Sequence, residues 1–244
     1  EEIRSYLNEL FSDTYDMLSA GNGKSALEIA TAEIPDIIIS DIVMPEMDGK
    51  TLCHHLKNEP LTQHIPIILL TTEAGVDNQL DGINYGADDY ITKPFNESIL
   101  KAKVSTLLRN KELQREHFRK SILHMPKLEM PESQDDIFLR KINQTISDNI
   151  SDSNLTVEFL AEKTALSRVQ LFRKFKAITG CSPSEYIKAV RLQHAADILA
   201  NGKHNIADVA YNVGFSDPKY FSNCFAEKYG IKPSQYIKEH TKNE

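Results

Sequence analysis

Cysteine is scarce. The 244 residues hold three, Cys53, Cys181 and Cys224, odd in number and far apart, a pattern that builds neither a disulfide framework nor a zinc site. Buried thiols in a reducing compartment are expected. Long hydrophobic runs are missing too: the longest, Ile65 to Leu70, is strand-sized, far below the roughly 20 apolar residues a membrane span needs. The opening stretch EEIRSYLNELF is acidic and amphipathic, unlike a basic leader or a cleavable apolar segment, so a cytoplasmic chain without membrane contact is expected. No glycine-rich nucleotide loop or general-acid pair stands out, and an enzyme built on an α/β sheet would need one.

What is present suggests two domains. The length exceeds one typical domain of roughly 100 to 200 residues, and the charge is unevenly spread. Residues 1–115 carry 10 Lys+Arg against 19 Asp+Glu, a balance of -9, residues 116–136 carry -2, and residues 137–244 carry 15 against 11, a balance of +4. An acidic half tied to a basic half points to a polyanion partner for the second half alone.

In the first half, Ile3, Leu7 and Leu10, and then Ala26, Leu27 and Ala30, recur at helical spacing. Tyr15 to Ser19, closed by the Gly-Asn-Gly turn at 21–23, reads as a short strand. Asp36–Asp41 holds Ile37, Ile38 and Ile39 in succession and Ile65–Thr71 holds Ile67, Ile68, Leu69 and Leu70, continuous apolar runs suited to parallel strands covered on both faces. Helices at about 50–58, 76–85 and 97–115 and a last strand at Tyr90–Thr92 complete an open, doubly wound α/β sheet. Ligands of such sheets bind beyond the carboxyl ends of the strands, where Asp41, Thr71 and Lys93 fall. Singly, these are an acid fraying a strand, a helix-capping hydroxyl and an exposed lysine. Jointly they set a carboxylate nucleophile, a hydroxyl donor and a cation on one edge, the parts that phosphoryl transfer to an acid requires.

The segments DIVMPEMDG at 41–49, LLTTEA at 69–74 and GADDYITKPF at 86–95 stand in one register, with 30 residues from Asp41 to Thr71 and 52 from Asp41 to Lys93. On these motifs residues 1–115 resemble the receiver family of two-component signalling, which has a flavodoxin-like fold. The resemblance implies that Asp41 attacks the phosphorus of a phosphohistidine on a partner histidine kinase, with Thr71 and Lys93 binding the phosphoryl oxygens. Thr71 and Tyr90 would be the switch residues, Mg²⁺ would be held by Asp41 and the backbone carbonyl of Val43, and a cis peptide before Pro94 would aim Lys93 inward. The family's first strand, ending in two acidic metal ligands, is expected upstream of Glu1. Neither Glu1 nor Glu2 replaces that pair, because acids at a helix start have an ordinary dipole role. The metal site is therefore expected to be incomplete, with little Mg²⁺-dependent phosphorylation of residues 1–244. The chain itself is expected to be the C-terminal part of a hybrid sensor kinase, whose parent can be anchored in the inner membrane.

Leu107, Leu108, Leu113, Phe118 and Ile122 keep rough helical spacing past residue 115, and Pro126 and Pro131 then mark a polar connector within 116–136. From Ile137 the pattern is helical throughout. A weak repeat links 155–187 with 204–237, and each copy suits a helix-turn-helix. Leu171 and Phe175, and Phe221 and Phe225, are expected in the core. Arg168, Arg173, Lys174 and Lys176, and Lys219, Asn223 and Lys228, are expected on the opposite faces, where a merely solvated surface is the ordinary alternative. Residues 137–240 resemble the DNA-binding domain of AraC-type regulators, carried by SRVQLFRKFKAITGCSPSEYI, AVRLQHAADIL and IADVAYNVGFSDPKYFSNCFAEKYGIKPSQY. The resemblance implies that Val169, Phe172 and Arg173 face bases in one major groove and Pro218, Lys219 and Asn223 in the next. Phe172 and Pro218 depart from the family's donors and suit thymine methyls.

The expected function is a phosphorylation-controlled, sequence-specific transcription regulator acting on double-stranded DNA as a homodimer. The alternative is the output portion of a hybrid histidine kinase whose receiver serves as a docking or dimerisation module.

Overall fold

The computed structural model describes residues 2–72, 86–121, 133–201 and 205–240. The chain divides into two compact units, Glu1–Arg115 and Glu116–Glu244. The helix expected at 76–85, and Ile122, Pro126 and Pro131 of the connector, lie outside the described residues.

The first unit runs α1 (Glu2–Phe11), α2 (Gly23–Glu33), β1 (Ile38–Asp41), α3 (Gly49–Asn58), β2 (Ile67–Thr71), β3 (Asp89–Thr92) and α4 (Glu97–Ser121). The strands pair in parallel in the order β1-β2-β3. Successive side chains of a strand point to opposite faces, and β2 uses both. Ile68 and Leu70 pack with Leu7 and Phe11 of α1 and Leu100 and Val104 of α4, whereas Ile67 and Leu69 pack with Ala30 of α2 and Leu52, Cys53 and Leu56 of α3. A parallel sheet with helices on both faces is the doubly wound arrangement expected. Helix α4 runs on past residue 115, with Glu97–Arg115 in the first unit and Glu116–Ser121 in the second.

One expected strand does not form. Tyr15 to Ser19 has no ladder partner among the described residues, and Leu18 is 54% exposed. A strand exists through the backbone groups it pairs, and here β1 finds β2 on one side while nothing described joins Tyr15–Ser19 to the sheet. An apolar run before a Gly-Asn-Gly turn reads as a strand locally, but pairing is a tertiary property. The described sheet therefore has three strands rather than four.

The second unit is helical: α5 (Gln134–Asp148), α6 (Val157–Thr164), α7 (Arg168–Thr179), α8 (Pro183–Ala200), α9 (Ile206–Asn212), α10 (Pro218–Tyr229) and α11 (Pro233–His240). The expected repeat is visible in the punctuation. Helices α7 and α10 are capped by the side chains of Ser167 and Asp217, and both end on a left-handed glycine, Gly180 and Gly230, where an ordinary side chain would be strained. Two cores result. Ile142, Ile146, Leu160, Leu171, Phe175 and Val190 form one, and Leu192, Leu199, Val209, Phe221 and Phe225 form the other. Helix α8 supplies residues to each.

Candidate functional site

Asp41 ends β1, Thr71 ends β2, and Lys93 directly follows β3. The parallel register, Asp41 beside Leu70 and Thr71 beside Thr92, sets them along the carboxyl edge of the sheet. The backbone N–H of Lys93 donates to the Thr71 carbonyl at 2.6 Å, continuing the ladder past the strand end. From there the Lys93 ammonium reaches Asp41 Oδ2 at 2.6 Å. The Val43 N–H donates to the other carboxylate oxygen at 3.3 Å and fixes the plane of the group. The Asp41 side chain keeps 26% exposure, enough for a reactant to reach it. Thr71 is buried on the neighbouring strand, and the Lys93–Pro94 peptide is cis.

Close packing behind the site depends on Gly49. A Cβ there would lie 2.1 Å from the Asp41 carbonyl oxygen, far inside van der Waals contact. The bare glycine lets its own N–H reach the Ile42 carbonyl at 2.9 Å, and Asp48 caps α3 through the Thr51 N–H at 2.7 Å. That hydrogen bond, with the weaker help of Lys50, holds the Asp48 carboxyl below its ordinary range. Tyr90 of β3 packs beside Cys53 in the α2–α3 core. Its hydroxyl is buried without a hydrogen-bond partner among the described residues, and burial pushes it up to about 12.

The oxygen donors at this edge are the Asp41 carboxylate and the carbonyl of Val43, a residue 77% exposed. No group of three or more acidic, histidine or cysteine side chains gathers there among the described residues. Mg²⁺ demands a near-octahedral oxygen set, and Lys93 already competes for one of the Asp41 oxygens. These residues alone do not make an Mg²⁺ site.

In the second unit, Leu171 and Phe175 of α7 and Phe221 and Phe225 of α10 are fully buried. The opposite face of α7 shows Val169 and Phe172, 56% and 41% exposed, large apolar side chains left in water. Beside them Arg168 pairs with Glu158 at 2.9 Å, Lys176 stands 5.9 Å above the Phe172 ring, and Arg173 is half-buried. On α10, Lys219 and Asn223 are exposed and Pro218 is half-buried.

Two lysines depart from expectation. Lys174 is buried, paired with Asp135 at 3.0 Å and set 4.7 Å over the Phe138 ring, so it holds α5 to α7. Lys228 is half-buried and donates to the Ala189 carbonyl of α8 at 2.7 Å. A long apolar stem lets Lys174 bury its length while its ammonium stays paired with Asp135. Cys53 and Cys224 are buried as expected, but Cys181 is only half-buried. Two exposed aromatics of this unit, Tyr211 of α9 and Tyr220 of α10, both 54% exposed, carry no signal in the sequence pattern.

Residues 1–105 match the response regulator receiver domain family, and residues 160–239 match a helix-turn-helix domain family. The chain carries a response regulator receiver domain. Its receiver domain is joined to an AraC-type helix-turn-helix domain. The chain is 37% identical to Histidine kinase P4 of Formosa agariphila over 96% of its own length, and spans 17% of that kinase. It is 41% identical to Response regulator PleD of Caulobacter vibrioides over 45% of its length, spanning 24% of PleD. A solved C-terminal domain of the response regulator yesN from Fusobacterium nucleatum shares 31% identity, with 41% of this chain and 96% of that one covered and a TM-score of 0.39. Both matched domains are of regulatory kinds. A receiver implies a histidine kinase as phosphodonor, and the helix-turn-helix implies DNA. No helix among the described residues is long and apolar enough to cross a membrane.

Proposed function

We propose that this response regulator accepts a phosphoryl group on Asp41 and thereby controls sequence-specific DNA binding by its second domain. The observation that carries the reading is the 2.6 Å contact of Lys93 with Asp41 at the carboxyl edge of the sheet. In the transfer, an Asp41 oxygen forms a bond to phosphorus as the P–N bond of a kinase phosphohistidine breaks, and the electron pair leaves with the imidazole. Lys93 gives up its contact with the carboxylate and stabilises the phosphoryl oxygens, and the Thr71 hydroxyl donates to another. Tyr90, half-buried beside α3 with its hydroxyl unpartnered, is the side chain we assign to move when Thr71 shifts. The test is mass spectrometry for hydroxylamine-labile phosphate after exposure to a cognate kinase or acetyl phosphate. In a receiver that also carries the acidic pair for the metal, label is expected on Asp41 and absent from Asp41→Asn, whose amide is isosteric but a poor nucleophile; residues 1–244 alone are expected to take up little. Label on the Asn variant would remove Asp41 from the role.

On the DNA side we assign α7 and α10 to successive major grooves. Val169 and Phe172 meet thymine methyls, Arg173 reads a base edge, Asn223 suits adenine, and Pro218 makes apolar contact. Lys219 faces the bases of the second groove beside Asn223, and Arg168 and Lys176 serve phosphates. Work on DNA as a homodimer puts the protein in the cytoplasm. The 37% identity to a segment amounting to 17% of a histidine kinase supports a hybrid parent in which kinase and regulator share one polypeptide, the receiver then docking in cis.

A further inference from the structure

The two helix-turn-helix units are joined by α8, and a single helix leaves each end free to swivel about its junctions. A second connection closes that freedom. Arg191 lies on α8 between Val190 of the first core and Leu192 of the second. Its guanidinium crosses to the loop after α5, where Nη2 donates to the Asp152 carbonyl at 2.5 Å. That carbonyl also accepts from the Leu155 N–H at 3.1 Å, so the loop is itself tightly turned. On the other side stands Gly214, in the turn that joins α9 to α10. Its φ of +79° is left-handed, and a Cβ there would lie 2.5 Å from the Ile150 carbonyl oxygen and 2.6 Å from Arg191 Nη2. Ile150 packs on the first core, and Val213 and Phe215, flanking Gly214, belong to the second. The Arg191 Nε is buried with no hydrogen-bond partner among the described residues. Helix capping or solubility explains none of this. A half-buried guanidinium and a forbidden Cβ meet at one point, where the loop of the first unit touches the turn of the second.

We propose that Arg191 and Gly214 form a clasp that fixes the rotation of α10 relative to α7, and so sets the spacing of the two DNA segments the protein accepts. This rests on the reading that α7 and α10 enter successive major grooves. Inserting one base pair between two such segments turns one against the other by about 35° and displaces it by about 3.4 Å. A rigid pair of units cannot follow, and loses the gain of simultaneous engagement, of the order of 10²-fold. A pair hinged only at α8 follows at little loss. Arg191 touches no DNA in this scheme and is a positioning residue.

The experiment uses the full chain and a DNA selected by the wild type from a random pool, with one base pair inserted or deleted between the two protected grooves. The wild type is expected to prefer the selected spacing by roughly 10²-fold. Arg191→Met, which keeps the stem and removes the donors, is expected to reduce that preference to below about tenfold by weakening the selected spacing and sparing the altered ones. A variant that merely lost stability would bind every spacing more weakly in equal ratio, and that outcome overturns the clasp. Should Arg191→Met fail to fold by circular dichroism, Arg191→Lys carries the same test, since it keeps one donor but not the planar group: a preference reduced from the wild-type value supports the clasp and an unchanged one overturns it. A wild type that protects two grooves yet shows no spacing preference defeats the clasp while leaving DNA binding intact. Failure of the wild type to protect two grooves at all defeats the DNA-binding geometry and the clasp together.

Discussion

Arg173 and Lys174 are neighbours with opposed expectations. Lys174 is buried against Asp135 and Phe138, so Lys174→Ala removes an ion pair and the packing of a buried stem together and is expected to cost about 1–3 kcal/mol of folding stability. Lys174→Met, apolar and of similar length, should cost much less. Chemical denaturation of the two variants separates these outcomes. Arg173→Ala should leave folding almost unchanged and relax specificity at one base pair by about 1–3 kcal/mol. Equal weakening on every sequence, measured by competition binding, would move Arg173 to the phosphate contacts. Sequence pattern placed Asp41, Thr71 and Lys93 on one sheet edge because strand ends and motif spacing are local signals. It could not tell Lys174 from Lys176, because a lysine's direction depends on what packs beside its stem.

At the scale of elements, capping was legible and pairing was not. The Ser182 hydroxyl accepts from the Glu185 N–H while the Glu185 carboxylate accepts from the Ser182 N–H at 2.8 Å, closing the start of α8 as a reciprocal box. Those Ser182 hydrogen bonds hold the Glu185 carboxyl below its ordinary range. A carboxyl depressed on folding contributes stability that is present above its unfolded pKa and lost as pH falls through the folded one. The melting temperature of Glu185→Gln should therefore lie below that of the wild type near neutral pH, and the gap should narrow in acid. A gap that persists or widens there would show that the carboxylate does not stabilise the cap. Ser-Pro-Ser-Glu announces this helix start in sequence, as Gly180 and Gly230 announce the ends of α7 and α10. Tyr15–Ser19 carried an equally clear local signal yet formed no strand, since no described segment offers its backbone a ladder partner.

For the whole molecule, the change from a balance of -9 over residues 1–115 to +4 over residues 137–244 separates an acidic signalling half from a basic half suited to DNA. Binding that neutralises phosphates should weaken steeply with salt. Two recognition helices fixed on one domain should protect two major grooves roughly one helical turn, about 34 Å, apart on one face of the duplex, and hydroxyl-radical footprinting reads this directly. Protection of a single groove would remove α10 from the interface. The central claim couples the two halves: phosphorylation of Asp41 changes how the second domain holds DNA. The most direct measurement is the affinity for the selected DNA at fixed salt, with and without the phosphodonor, of the protein with its receiver completed by the acidic metal pair, in wild type and in Asp41→Asn. The expected result is an affinity that changes with the donor in the wild type and stays flat in the variant. An unchanged wild-type affinity despite phosphate on Asp41, or the same change in both proteins, would contradict it.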